Sequence, residues 1–286
     1  MRRLVLLAVL CVGTASLRAE QTPPAEPLSA VLNHVREYLA GYLARAQSMI
    51  CDEAVTILTI GKDLMPTDAR ARTLRSEIRM SWEPAVDGST SAPVVLRSLI
   101  SVNGKPPKPK DDDKCFDPTA ISPEALSGLF SPDNQDELLY TINGRKRIGQ
   151  RSALVVEIHT REKMGRSEVV KVETCISVHT PGSAWWRVWV DATTYEVLRL
   201  EEFSVGPRDV TIPADKKLGT PEMAIVFERT AATTEYRQVK FSDPDEVIML
   251  PASRQYLQIE RGSQSRRINY TYRNYRRFMT GIRIVQ

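Results

Sequence analysis

Past residue 27 the chain changes its hydrophobic period once. From Leu28 to Ile50 the apolar residues Leu28, Val31, Leu32, Val35, Tyr38, Leu39, Tyr42, Leu43, Ala46, Met49 and Ile50 fall within one arc at 100° per residue. This predicts a long amphipathic helix over 28–50, with Ser29 as its N-cap. Its polar face mixes both signs of charge, which suits packing on a core better than lying on a membrane surface. Beyond it the pattern alternates. Leu74, Ile78, Met80 and Trp82 interleave with Arg75, Glu77, Arg79 and Ser81, the period of a half-buried strand. Further strands are predicted at 94–102, 137–142, 153–159, 169–178, 185–190, 196–203, 223–229, 235–241, 255–260 and 267–278. Asn103-Gly104 and Asn143-Gly144 are dipeptides that suit tight hairpin turns. One helix followed by many short strands predicts a mostly β, α+β fold built on an antiparallel sheet rather than on repeated βαβ units. Residues 28–286 then form a single domain, with polar loops at 83–93 and 105–118 and a short helix at 123–130 capped by Ser122.

The N-terminus alters the composition. Arg2 and Arg3 precede an apolar run from Leu4 to Leu17, too short for the roughly 20 residues a membrane helix needs, and Ala19 follows. Residues 1–19 therefore read as a signal peptide and 20–27 as a Pro-rich linker, so the protein is expected to be exported to the periplasm or beyond the cell. After cleavage it is not an integral membrane protein. The 286 residues carry a net charge of +4. Losing Arg2, Arg3 and Arg18 lowers this to +1, which implies no polyanionic partner. Losing Cys11 leaves Cys51, Cys115 and Cys175, room for one intramolecular disulfide at most. Cys51 with Cys115 is the candidate pair, a strand cysteine such as Cys175 being more often a small core residue.

No motif names a reaction. The three histidines, His34, His159 and His179, lie apart, and Cys175 and His179 are separated by about 13 Å of extended chain, too far for a shared metal. H-E-x-x-H, C-x-x-C and G-x-S-x-G are absent, and Gly144 to Gly149 has phosphate-loop spacing without the Lys and hydroxyl that must follow. Asp111-Asp112-Asp113 lacks the alternate ligand spacing and the Gly of a calcium loop. No metal or cofactor is called for. The run from Arg266 to Phe278 interleaves arginines and tyrosines as nucleic-acid surfaces do, but an antiparallel strand explains it with Ile268, Tyr270 and Tyr272 inward, and export argues against a nucleic-acid partner.

Two stretches carry a resemblance. Leu139–Gly144 with Arg147–Ile158, then Trp189-Val190-Asp191-Ala192-Thr193-Thr194-Tyr195-Glu196-Val197-Leu198-Arg199, resemble exported bacterial proteins of the outer-membrane lipoprotein-sorting and carrier group (LolA/LolB-like). Leu250-Pro251 and Tyr270–Phe278 are similar to the closing strands of such proteins. The turn after Asp191 departs from the group, with Thr194-Tyr195 where a Gly is common. The resemblance implies a half-barrel with a helix over its concave face, and a non-enzymatic protein that holds a lipid or a lipidated partner between the two. The cavity candidates are Val35, Tyr38, Tyr42, Trp82, Trp186, Val188, Leu198, Leu200, Phe227, Tyr270 and Tyr272. The same residues could instead fill the space and leave an envelope scaffold for protein contacts. An exported hydrolase with catalytic carboxylates is the third reading.

Overall fold

The computed structural model describes residues 26–46, 48–81, 94–111, 124–172, 175–212, 223–262 and 264–277. The expected signal peptide (residues 1–19), Trp82 and Cys115 lie outside these residues. The chain is mostly antiparallel β, dominated by one large curved sheet of 11 strands. Its strands are β1 (Ser48–Thr59), β2 (Arg72–Ser81), β3 (Val94–Val102), β4 (Leu138–Ile148), β5 (Arg151–Thr160), β8 (Ala184–Asp191), β9 (Val197–Ser204), β10 (Arg208–Ile212), β11 (Met223–Ser242), β12 (Asp245–Arg261) and β13 (Arg266–Arg277). β6 (Glu168–Val172) and β7 (Cys175–His179) form a separate hairpin. The spatial order is β3-β2-β1-β13-β12-β11-β9-β8-β5-β4, with β10 added beside β11. β1, β2 and β3 thus join the rest of the sheet through β13.

Helix α1 (Leu28–Arg45) crosses one face of this sheet, and α2 (Glu124–Phe130) packs beside it. Val31, Val35, Leu39 and Tyr42 recur every three or four residues and are buried along a single stripe. Each such side chain contributes about 1.5–3 kcal/mol on leaving water. The stripe ties together two cores: Val31, Leu32, Val35 and Leu39 meet Leu154, Val156, Ile158, Val188, Val190 and Leu200, while Tyr42 and Ala46 meet Leu74, Ile78, Ile248, Leu250 and Ile268. Tyr38 packs against both.

The helix ends five residues before the predicted Ile50. It caps on Ala46, and its N-cap is Pro27 with no side-chain hydrogen bond, in place of Ser29. From Ser48 the β-branched residues Val55, Thr56, Ile57 and Thr59 take over, and β1 alternates with Met49, Cys51, Glu53 and Val55 buried. Asn143-Gly144 is not a hairpin turn. It sits inside β4 where the register against β5 shifts, with Gly144 at φ +77°, and the chain reverses at Gly149-Gln150 instead. Asn103-Gly104 does make a tight turn, both residues taking positive φ and Val102 and Lys105 exchanging backbone hydrogen bonds. The stretch 169–178 divides into β6 and β7, whereas 223–229 and 235–241 are one strand, β11, whose pairing with β12 shifts at two bulges. β7 pairs without a register shift from Cys175 to His179, so the extended spacing between those residues stands.

Tyr195, in the turn between β8 and β9, has φ +57°, a left-handed conformation that favours Gly. A non-glycine residue there costs roughly 1–2 kcal/mol. Its side chain offsets this: the hydroxyl donates to the Glu26 carboxylate at 3.0 Å, and the ring stacks on His34 with centroids 4.5 Å apart. Tyr195 therefore fastens the start of α1 to the sheet.

Candidate ligand-binding face

The sheet face under α1 has an apolar zone and a polar zone. Of the sequence candidates, Val35, Val188, Leu200 and the partly buried Trp186 belong to one apolar cluster, and Tyr42, Tyr270 and Tyr272 to the other. Leu198 does not join them. The β8–β9 register shifts between Trp189 and Val190, which turns Leu198 to the other face with Ala153, Val155, Trp189 and Met249. Phe227 lies farther along the sheet, where Val169 and Val178 of the β6–β7 hairpin pack on Val210, Ile212 and Ile225.

A void among Tyr42, Cys51, Met80, Tyr272 and Tyr275 measures about 10 Å³, the room of one water molecule. Cys51 borders it with a free, buried thiol whose pKa burial pushes up to about 12, with the nearby Glu53 adding to the rise. Burial likewise raises the pKa of Tyr38, Tyr42, Tyr270 and Tyr272. These phenols stay neutral and act as apolar surface with a polar tip.

The polar zone follows from strand register. On this face Leu200, Thr234, Arg254, Tyr270 and Val55 are neighbours across β9, β11, β12, β13 and β1, and the next row reads Glu202, Ala232, Tyr256, Ile268 and Ile57. A third row pairs Thr230 with Gln258 and Gln258 with Arg266. The Tyr256 hydroxyl donates to Gln258 Oε1 at 2.7 Å, Arg266 Nη2 donates to the same oxygen at 3.2 Å, and Gln258 donates to Glu260. Arg254 has only long contacts, to Thr234 Oγ1 at 3.4 Å and to Glu202 at 3.8 Å, although its side chain is 19% exposed. Arg208 lies over the Phe227 ring and donates to Ser183 Oγ at 3.3 Å, while its Nε is buried without an acceptor. At the β1–β3 side Glu53, whose side chain is fully buried, is held by Arg97 Nη2 at 2.7 Å from each carboxylate oxygen. Burial raises the Glu53 pKa, and Arg97 opposes the rise.

Sequence reasoning missed this polar zone. Its one trace is that Arg254, Tyr256, Gln258 and Glu260 recur every second residue on β12, a pattern that reads as a solvent face when the strand is taken alone.

The opposite face carries a stacked row of His159, Trp185 and Phe203, with Arg187 over both Trp185 and Phe203 and forked onto Glu157 at 2.7 and 3.0 Å. Among the described residues no group of three or more His, Cys, Asp or Glu could hold a metal ion, and no helix is long and apolar enough to cross a membrane.

No protein-family model and no curated protein matches the chain. Among solved structures it is similar to a LolA superfamily protein from Nitrosomonas europaea, at 10% identity over 92% of this chain and 98% of that one, with a TM-score of 0.37. It is also similar to a DUF1329 family protein from Desulfovibrio piger, at 11% identity over 90% and 95% of the two chains, with a TM-score of 0.41. A domain described as an outer membrane lipoprotein-sorting protein from Vibrio parahaemolyticus gives 10% identity over 88% and 95%, with a TM-score of 0.41.

Proposed function

We propose that this is an exported, non-enzymatic binding protein of the cell envelope that holds an acyl chain, free or on a lipidated partner, between α1 and the sheet. One observation carries the reading: α1 covers both apolar clusters of this sheet face and packs on the strands through its side chains. At its C-terminal end α1 runs into β1 through a short connection, and at its N-terminal end the tie is Glu26 on Tyr195 and the His34 stack. Lifting α1 would expose Val156, Val188, Leu200 and Leu250 together, a surface continuous enough for an alkyl chain. The void beside Tyr42, of about 10 Å³, is too small for an alkyl chain, so loading there would require the helix to move.

The test is lipid mass spectrometry on the protein purified from its envelope by gentle extraction, followed by titration with a fluorescent fatty acid. Co-purifying acyl lipid, and saturable binding lost when α1 is stapled to the sheet, are the expected results; absence of both counts against a carrier. The small size of that void favours a second reading, an envelope scaffold for protein contacts. Leu96 and Ile100, 58% and 57% exposed on the edge strand β3, would then be contact residues. A partner that protects β3 amides from exchange while no lipid binds would select it.

A further inference from the structure

Three phenols meet beneath α1 where its two apolar clusters join. Tyr42 belongs to one cluster, Tyr236 packs against the other, and Tyr38 packs against both. The rings of Tyr38 and Tyr42 have centroids 6.2 Å apart. Tyr38 and Tyr236 both act to raise the Tyr42 pKa, and Tyr38 that of Tyr236, so the three lie within electrostatic reach of one another. Burial is the largest cause of the rise in each, which keeps the hydroxyls protonated and available as donors.

These donors have nothing to donate to. Tyr42 is 2% exposed, and its hydroxyl is buried without a hydrogen-bond partner. Tyr38 and Tyr236 likewise make no hydrogen bond among the described residues. Other tyrosines of the chain are placed differently: Tyr140 donates to the Leu129 carbonyl at 2.8 Å, Tyr275 to that of Pro251 at 2.7 Å, and Tyr256 to Gln258 at 2.7 Å. A buried hydroxyl without an acceptor lowers stability, and phenylalanine would fill the same space without that cost. Residues that weaken the free protein in this way are expected where a ligand completes them.

The surroundings define what that ligand brings. Cations that act on the phenols are already engaged: Arg151 by Asp191 and Glu196, Arg254 by Glu202 at 3.8 Å, and the exposed Arg45 by the carbonyls of Gly41 and Val247. Glu196 acts on Tyr38 as a further negative charge. An anionic head group would therefore be desolvated there without a free counter-charge, whereas a neutral acceptor would not. The void beside Tyr42, with the room of one water molecule, also suits a single oxygen atom. Because α1 runs into β1 just beyond Arg45, a helix lifting from its Glu26 end would pivot near Tyr42 and keep that hydroxyl close to the sheet.

We propose that the Tyr42 hydroxyl, together with those of Tyr38 and Tyr236, seats the ester carbonyl oxygen of a neutral acylglycerol whose chain lies beneath α1. The proposal rests on the carrier reading for the chain and adds the chemistry of the group that heads it.

The experiment is isothermal titration of the full-length mature protein with monododecanoylglycerol, with the dodecylglycerol ether that lacks only the carbonyl, and with dodecanoate, each below micellar concentration. The proteins are the wild type and Tyr42→Phe, Tyr38→Phe and Tyr236→Phe, with thermal melts of each beside Tyr140→Phe. The ester is expected to bind about tenfold more tightly than the ether, and dodecanoate more weakly than the ester. Tyr42→Phe is expected to reduce the ester preference to about twofold, the other two variants to reduce it less, and none of the three to weaken the ether. Tyr42→Phe is expected to melt no lower than the wild type, whereas Tyr140→Phe, which loses a bond the free protein makes, melts lower. Ester and ether bound equally well by the wild type would overturn the seat and leave the carrier reading standing; a lowered Tm of Tyr42→Phe would then assign its hydroxyl to a buried water. Dodecanoate bound more tightly than the ester overturns the neutral head group, and an ester preference unchanged in all three variants overturns the choice of residues. Binding of none of the probes overturns the seat and the carrier reading together.

Discussion

Replacing Arg97 with Leu strands a carboxylate in the protein interior, and its cost can be worked from the geometry. The Glu53 side chain is fully buried and that of Arg97 is 17% exposed, with one guanidinium nitrogen 2.7 Å from both carboxylate oxygens. At an effective dielectric constant of about 20 that separation corresponds to an attraction of about 6 kcal/mol, while desolvating the two ions costs several kcal/mol each. The pair is thus close to break-even, in line with a Glu53 pKa that lies above its ordinary value despite the arginine. Removing Arg97 alone is expected to cost about 3 kcal/mol at pH 7, or about 6–12 °C in Tm for a chain of this size. The sign with pH follows. A carboxyl group with a raised folded pKa gives its full contribution when protonated, below the unfolded value of about 4.3, and loses it as pH rises through the folded pKa. Without Arg97 that folded pKa climbs further, so the penalty is largest at neutral pH and shrinks toward pH 4. Glu53→Leu with Arg97→Leu is expected to return stability to within about 1 kcal/mol of the wild type. Urea melts of the three proteins at pH 4 and pH 7 check this. An Arg97→Leu protein as stable as wild type at pH 7, or a double variant worse than the single one, would refute the reasoning.

Tyr195→Gly relieves the positive φ but cuts the tie to Glu26 and His34, so global stability is expected to change by less than about 1 kcal/mol while amide exchange at Leu28–Val31 accelerates about tenfold; unchanged protection there would remove the fastening role. Arg187→Gln is expected to cost about 2 kcal/mol at pH 7 through the lost fork on Glu157 and the contact with Trp185. Because Arg187 holds the Glu157 pKa below its ordinary value, that stabilisation is present above about pH 4.3 and disappears as pH falls through the folded value, so variant and wild type should converge in acid melts. Gly182→Ala is expected to lower Tm by about 4–8 °C, because at φ +64° its Cβ would meet backbone atoms of Glu162 and Lys163 at 2.7 Å; Gly104→Ala, at φ +75° with open space around it, should lose only about half as much.

Much of the fold was legible from period alone. The α1 stripe from Val31 to Tyr42 and the alternation along β3, β5, β8 and β13 are local properties, and the strand 94–102 has the bounds expected of it. What escaped was decided by tertiary context. Met49 and Ile50 continue the helical arc by spacing, but their neighbours Arg79 and Met80 across the sheet draw them into β1. Leu198 has the alternation of an inward residue, and the bulge in the β8–β9 pairing sends it outward. Arg254 and Gln258 read as solvent positions because only the pairing of β12 with both β11 and β13 shows which face they occupy. A buried polar zone is therefore the part of a binding face that a single sequence conceals best, since its residues are those expected on a surface.

The strand order also governs how the chain can be assembled in time. β1, β2 and β3 pair consecutively, as do β4, β5, β8 and β9, but the two meanders meet only when Arg266–Arg277 slots between β1 and β12. The β1–β13 pairs span more than 200 residues, as Asp52 with Arg273 does, so a ribosome must release β13 before the sheet can become continuous. A nascent chain lacking β13 would be two half-sheets with open edges, a state poorly suited to premature folding and easily kept extended by a holding chaperone.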